Sequence, residues 1–527
     1  MIPVRVGIEV LVKNVLLARE PLYGVGDWAC QVAPDLLELE PETVACLNDD
    51  RVGRCLNRLF DADRSSFVLA VVAHTVREFQ VDLDQLHNDS TTISFFGQYE
   101  EARPGRRKRG KPTLGILFGH SKAHRPDLKQ LLFILTVARD GGVPIHFEAR
   151  DGNTVDDTTH RRTWDLLCQL TGRTDFLYVA DCKLASTGNM SYIHRKGGRF
   201  ITVLPRTRTE DREFRETICK DPSAVSWKRV HEVLDEDTKE VVDSFDLTNR
   251  PALTAEGFRL FWFQSSRKKD LDRRARAGRL ERCLQELGAF RAKLRSPRTR
   301  YRDPVVVIEK VEAILSANDA VGLILVEVKQ VSPEIFRQVG PGRPGSSTRY
   351  QREQGGRFDI VYEIDLVKLA AESLSDGVFP LVSNDTQLSE KEILLAYKKQ
   401  PLIEKRFAQL KTDYEVAPVY LKEVARIEAF LTVYFLALLV QALIERGTRT
   451  GMRRSEIEAL ALYPEERDCK APSARRILDA FDNVQRHELL GKGSAEPIVL
   501  TTELSPLQRK ILKLLEVPMA AYRSGPS

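Results

Sequence analysis

Residues 175–183 read DFLYVADCK. Five consecutive apolar residues, Phe176 to Ala180, end on a carboxylate. A run this short and this uniformly apolar predicts a strand buried on both faces, with Asp181 at the carboxyl edge of the sheet. The neighbouring segments extend the pattern. Upstream, FQVDLDQLHNDSTTISFFGQY (79–99) is rich in β-branched and alternating residues and reads as a strand. KQLLFILTVARDGGVPIHFEARDG (129–152) reads as a hairpin folded at Asp140, Gly141 and Gly142. TVDDTTHRRTWDLLCQLTG (154–172) reads as a capped helix with Trp164, Leu167 and Leu170 on one face. Downstream come a short helix and the strand GRFITVLP (198–205). Strand, strand, strand, helix, strand, helix, strand is a mixed α/β order.

Residues 1–78 read as helical, with a cap at Asn48 to Asp50 ahead of Val52, Cys55, Leu56 and Leu59 at helical spacing. Residues 79–205 form the first part of the core. Residues 206–380 break its rhythm with a long basic helix, SSRKKDLDRRARAGRLERCLQELGAFRAKLRS, strand-like pieces and a loop at 340–356 without packing signal. This block reads as an insertion, and the core resumes over 381–446. The tail, 447–527, is polar with two helical patches, SARRILDAFDNVQRHEL and PLQRKILKLLEV.

Composition narrows the classes. Apolar residues at 42% and charged residues at 29% describe a soluble globular protein. The net charge is +5, yet Arg267 to Arg302 holds fourteen Lys or Arg against four Asp or Glu, so nucleic-acid contact is expected to be local. Eight cysteines without a CxxC pair point to reduced thiols in a cytoplasmic setting, not to a zinc or disulfide scaffold. The apolar run from Ala429 to Ile444 is shorter than a bilayer span and reads as a buried helix. No glycine pattern carries Walker or dinucleotide spacing, which argues against a nucleotide cofactor.

The chemistry concentrates in YKKQPLIEKRFAQLK (397–411). On an unbroken helix Tyr397, Gln400, Glu404 and Lys411 fall within an arc of about 60°. Pro401 interrupts that helix: it either kinks it or opens a second one from its first position. Ser389 and Glu392 form a capping box at the start of the segment. An acid beside an amide and a lysine suits work on a phosphate backbone, and carboxylates holding two divalent ions provide the means of cutting phosphodiesters. Asp89, inside a strand signal, and Asp181 are the distant partners for Glu404. Asp151 reads as a turn residue, Asp127 follows a proline, and Asp156 and Asp157 read as caps of the Trp164 helix. Trp262 reads as core.

Together these segments resemble the DDE transposases of bacterial insertion sequences, in the IS-four-like superfamily, whose signature is Tyr, Arg, Glu, Lys at spacings of three, four and seven. Tyr397, Glu404 and Lys411 match, and Gln400 stands in the place of the Arg. NDSTTISFFGQY and FLYVADCKL resemble the segments around the family's two aspartates, and GHSKAHRPDLKQLLF, DGNTVDD and GGRFITVLPRTR resemble the same branch. The resemblance implies a ribonuclease-H-like core with a β-containing insertion. It implies Asp89, Asp181 and Glu404 as catalytic ligands of two Mg2+ ions, with Mn2+ as a substitute. It also implies Tyr397, Gln400 and Lys411 as contacts to transposon-end DNA, the uncharged Gln400 making the weaker one. The implied partners are double-stranded DNA, as terminal inverted repeats and target, and a second copy of the chain as a homodimer on DNA, without a membrane. Two rivals remain: a transposase-derived DNA-binding protein without catalysis, which the presence of all three acids argues against and the short segment before Pro21 keeps open, and a stand-alone ribonuclease-H-type nuclease.

Overall fold

The computed structural model describes all residues except 1, 123, 236–237, 251, 297, 332–333, 355, 415–420, 464, 466, 490–497 and 523–527. The architecture is mixed α/β, and the chain divides into two compact units: Met1–Thr202 with Ser383–Ser527, and Val203–Val382.

In the first unit the N-terminal helices Val4–Leu17, Asp49–Asp61 and Arg64–Glu78 precede the sheet. Asn48 caps the second of them, its side chain accepting from the Arg51 amide at 2.9 Å, and Val52, Cys55, Leu56 and Leu59 are buried as their spacing predicts. Five strands follow: β1 (Gln85–Phe95), β2 (Lys129–Ala138), β3 (Pro144–Asp151), β4 (Leu177–Ala180) and β5 (Arg199–Val203). Their order in the sheet is β3-β2-β1-β4-β5. The β1–β2 and β2–β3 pairs are antiparallel, whereas β4 runs parallel to both β1 and β5. All four residues of β4 are buried, as a central strand with covered faces requires. The β2–β3 hairpin turns through Gly141 and Gly142, both in the left-handed region at φ 72° and 64°.

The run around Ala429 belongs to a 31-residue helix, Val424–Arg454. By length and composition this helix could cross a membrane, but 78% of its most apolar window is buried inside the protein. It packs on Asp49–Asp61, Val4–Leu17 and β3, so burial within the fold accounts for its apolar character.

The segment bearing Tyr397 and Glu404 is two helices, Glu390–Tyr397 and Pro401–Ala408, joined by a turn. Pro401 occupies the first position of the second, where its missing N–H loses no bond. The single unbroken stripe is therefore corrected: the four signature residues do not share one helix face. The Ser389–Glu392 capping box is present. Lys411 lies beyond the second helix, in a π-helical turn spanning Gln409–Asp413.

The second unit holds strands Trp227–Leu234, Val241–Thr248 and Arg259–Ser265 in antiparallel array, with Val378–Ser383 beside the last. The helix Ser266–Arg295 packs its Leu280, Cys283, Leu287 and Phe290 against the helix Pro304–Ala317 and the pair Ile324–Val331 and Arg357–Ile364. Trp262 is core, stacked on Phe214 with ring centroids 3.9 Å apart. Part of the basic helix's charge serves folding. Arg276 makes a two-pronged pair with Asp376, and Arg291 and Arg295 both bind Asp359.

Two local readings change. The stretch read as a loop at 340–356 contains the strand Tyr350–Gln354, paired with Glu334–Gln338. The helical patch 473–489 is helical only over Ala474–Asp479, after which Arg486–Leu489 pairs with Ile498–Thr501. In both, a cross-strand ladder satisfies backbone groups that local sequence leaves open.

Candidate active site

Asn88 of β1 lies opposite Ala180 of β4 in parallel register, so the next residue on each, Asp89 and Asp181, stands at the same level of the sheet. Both side chains are largely withdrawn from solvent. Burial pushes Asp89 up to about 6 against the pull of Lys122, with the charges of Asp181 and Asp156 adding to the rise. Burial also raises Asp181, opposed by the Lys183 backbone N–H, which donates to Oδ1 at 3.0 Å, and by the Lys122 charge.

Lys122 is the cation of this site. Its Nζ lies 2.9 Å from Asp156 Oδ2 and 3.7 Å from Asp89 Oδ1, and it donates to Ser90 Oγ at 2.7 Å and to Ser90 O at 2.9 Å. Burial works against its charge, but Asp89 and Asp156 hold its proton affinity above the ordinary lysine value. Asp156 also accepts from Ser90 Oγ at 2.9 Å. It does not cap the Trp164 helix: that helix starts after Thr159 and has no side-chain cap. Lys122 and Asp156 are thus site residues missed in the sequence. An acid ahead of a helix matches the capping pattern, and nothing near Lys122 marks it as a partner for acids elsewhere.

Tyr397, at the end of its helix, lies within electrostatic reach of all three predicted acids. Burial drives its hydroxyl well above the ordinary tyrosine value, and the charges of Asp181, Asp89 and Glu404 add to the shift. Lys411 is half-buried. Burial lowers its proton affinity, the Lys122 charge lowers it further, and Asp89 opposes both. Glu404 is exposed on the first turn of Pro401–Ala408. Among the described residues, no three acids, histidines or cysteines are grouped to hold a metal ion. The structure therefore brings Asp89 and Asp181 together with Lys122 and Asp156, and leaves Glu404 outside that group.

Gln400 is 8% exposed, with its amide bonded inside the protein. Its Oε1 accepts from His87 Nδ1 at 3.0 Å, and its Nε2 lies 3.5 Å from the Asn88 carbonyl. Gln85 donates to His87 Nε2 at 2.8 Å and to the Ala396 carbonyl at 2.9 Å. Burial lowers His87 to about 4, so the ring is neutral, with its proton on Nδ1. This polar ladder ties the turn between the two helices to β1, immediately before Asp89.

The Glu404 helix has a second anchor. Arg406, 1% exposed, donates to the carbonyls of Gly142 and Gly141, both at 2.8 Å, and to Glu445 Oε2 at 2.9 Å. Lys405 donates to the same Glu445 oxygen at 2.8 Å, and Gln409 donates to Oε1 at 3.0 Å. Burial disfavours both charges of the Arg406–Glu445 pair, but the two cations keep Glu445 below its ordinary value.

No protein-family model matches the chain, and no characterised protein is significantly similar to it in sequence.

Proposed function

We propose that this chain is a DNA transposase of the DDE type, which cuts the ends of its own element at inverted repeats and joins the freed 3′ hydroxyls to target DNA. The observation that carries this reading is the pair Asp89 on β1 and Asp181 directly after β4, level with each other across two adjacent parallel strands of the order β3-β2-β1-β4-β5. That strand order, with its first three strands antiparallel, supports a ribonuclease-H-like core interrupted by an insertion.

Two of the donors, Asp89 and Asp181, fit magnesium, a hard ion that takes a few carboxylates and completes its shell with water and substrate oxygens, whereas Glu404 stands outside that pair in this structure. Asp89 and Asp181 would hold it, with Glu404 as the third ligand, and when bound it supplies Lewis-acid activation and charge neutralisation at the phosphodiester. The residues themselves set the conditions. Asp89 and Asp181 present two partly buried carboxylates with Lys122 as the cation beside them, and Lys122 with Asp156 keeps Asp89 oriented through Ser90. Tyr397 and Lys411 lie near these acids and are the groups that contact the DNA backbone. Gln400 contributes from beneath, by fixing the link between their helices to β1.

The test is incubation of the purified chain with Mg2+ and a labelled duplex carrying the element's own end, beside Glu404→Ala. Cleavage at the end by wild type alone supports the reading and the third acid. End binding without cleavage by either protein overturns it in favour of a DNA-binding derivative. Cleavage by wild type without preference for the end points instead to a stand-alone nuclease.

A further inference from the structure

A cavity of about 670 Å3 opens in the first unit beside the end of β2, the 398–402 link and the last turns of the helix Val424–Arg454. Its lining carries six cations, Arg139, Lys399, Arg446, Arg449, Arg453 and Lys470, against three acids. Arg446 and Arg449 are among the cations engaged by the fold. Arg446 Nε donates to Asp140 at 2.9 Å, and Arg449 donates to the Pro472 carbonyl at 2.9 Å. Arg139, Lys399 and Arg453 are exposed, and none of them forms an ion pair among the described residues. A hollow with a surplus of unneutralised positive charge attracts a polyanion.

Its position relates it to the acids. Arg139 follows Ala138, which pairs with Leu86, three residues along β1 from Asp89, or roughly 10 Å at strand rise. Lys399 is two residues beyond Tyr397, on the link that Gln400 pins to β1. The link therefore carries Tyr397 on the side of the acids and Lys399 on the side of the cavity. One nucleotide advances ~3.4 Å along a duplex, so a strand lying at the acids has phosphates within reach of the cavity about three nucleotides away.

We infer that this cavity is a second docking site for a phosphodiester backbone, in which Arg139, Lys399 and Arg453 hold phosphates of the strand whose cleavage Asp89 and Asp181 carry out. The inference rests on the transposase reading and adds to it a place for the DNA that the signature residues do not provide.

The test uses the full chain and a labelled duplex carrying the element's end, titrated over a range of salt concentrations, for wild type, the triple variant R139Q/K399Q/R453Q and the control R54Q/K510Q/K513Q. All six positions are exposed, and matched thermal melts establish that the variants fold. Each lost phosphate contact lowers the slope of log affinity against log salt by about 0.9, so the cavity triple is expected to lose about 2 to 3 and the control much less. An unchanged slope in the cavity triple, or an equal fall in the control, overturns the inference while leaving the transposase reading intact. No DNA binding by wild type overturns that reading itself. Pyrophosphate supplies the second arm. If it binds wild type but not the cavity triple while the DNA slope stays unchanged, the cavity is a site for small phosphates and the backbone assignment falls.

Discussion

His87 and Gln400 are joined by a 3.0 Å hydrogen bond, Nδ1–H donating to Oε1, although 313 residues separate them in the chain. The bond closes a ladder that runs from the Ala396 carbonyl through Gln85 and His87 to Gln400. It fixes where one helix ends and the Glu404 helix begins, relative to the strand carrying Asp89. The position that resembles a DNA contact in sequence is thus also a structural joint.

Gln400→Ala leaves the His87 Nδ1 donor buried without a partner. Stability should fall by about 1–3 kcal/mol, the usual penalty for an orphaned buried group. Urea unfolding followed at equilibrium reads this as a lower midpoint with an unchanged slope. A midpoint equal to wild type would mean that the ladder contributes nothing to the fold.

Asp89→Asn and Asp181→Asn keep the shape of each side chain and remove its charge. End cleavage should fall by more than about a hundredfold in each, beyond the roughly 10–100-fold typical of groups that only support a ligand. Binding of the end duplex should survive, as a gel-shift titration beside the cleavage assay will report. Full cutting by either variant would remove that acid from the site.

Arg406→Met breaks a buried ion pair and leaves Glu445, which is 0% exposed, with Lys405 as its one remaining ion-pair partner among the described residues. The expected loss is about 3–5 kcal/mol, with part of it recovered in Arg406→Met/Glu445→Leu because the fully buried carboxylate is then removed as well and Lys405, which is partly exposed, can turn to solvent. Denaturation of the two variants side by side measures the difference. A double variant less stable than the single one would contradict this account of how the Glu404 helix is held.

His160 is 3% exposed, bonded to the Tyr178 hydroxyl at 3.1 Å, and lowered by burial to about 4. Its folded value lies below the unfolded value of about 6.5, so the unfolded chain takes up the proton first as pH falls. Its contribution is therefore complete above pH ~6.5 and is lost as pH drops toward ~4, a change of about 3 kcal/mol. Stability measured across this window in wild type and His160→Gln should show a steeper acid-side decline in wild type. Parallel curves would exclude His160 as a source of the dependence.

Sequence carried far because much of the pattern is local. Asn48 and Ser389 cap helices where they are read to do so, and the apolar run at 176–180 becomes a wholly buried strand. Pro401 left two outcomes open. Packing chose between them, since Arg406 holds the second helix to the Gly141–Gly142 turn, Gln400 holds the link to β1, and Gln85 holds the end of the first helix. Lys122 and Asp156 were not legible as a pair, because their meeting depends on how β1, the loop after it and the segment before the Trp164 helix fold together.

By itself the sequence determined most of the elements and their order, with Asp89 in one strand and Asp181 directly after another, because hydrophobic period, caps and turn residues act over a few neighbouring positions. The tertiary structure alone decided which charges face one another. Asp89 and Asp181 share a level, Lys122 and Asp156 join them, Gln400 turns inward, and Glu404 stays exposed. Such pairings arise from strand register and burial between residues far apart in the chain, and no local pattern encodes them.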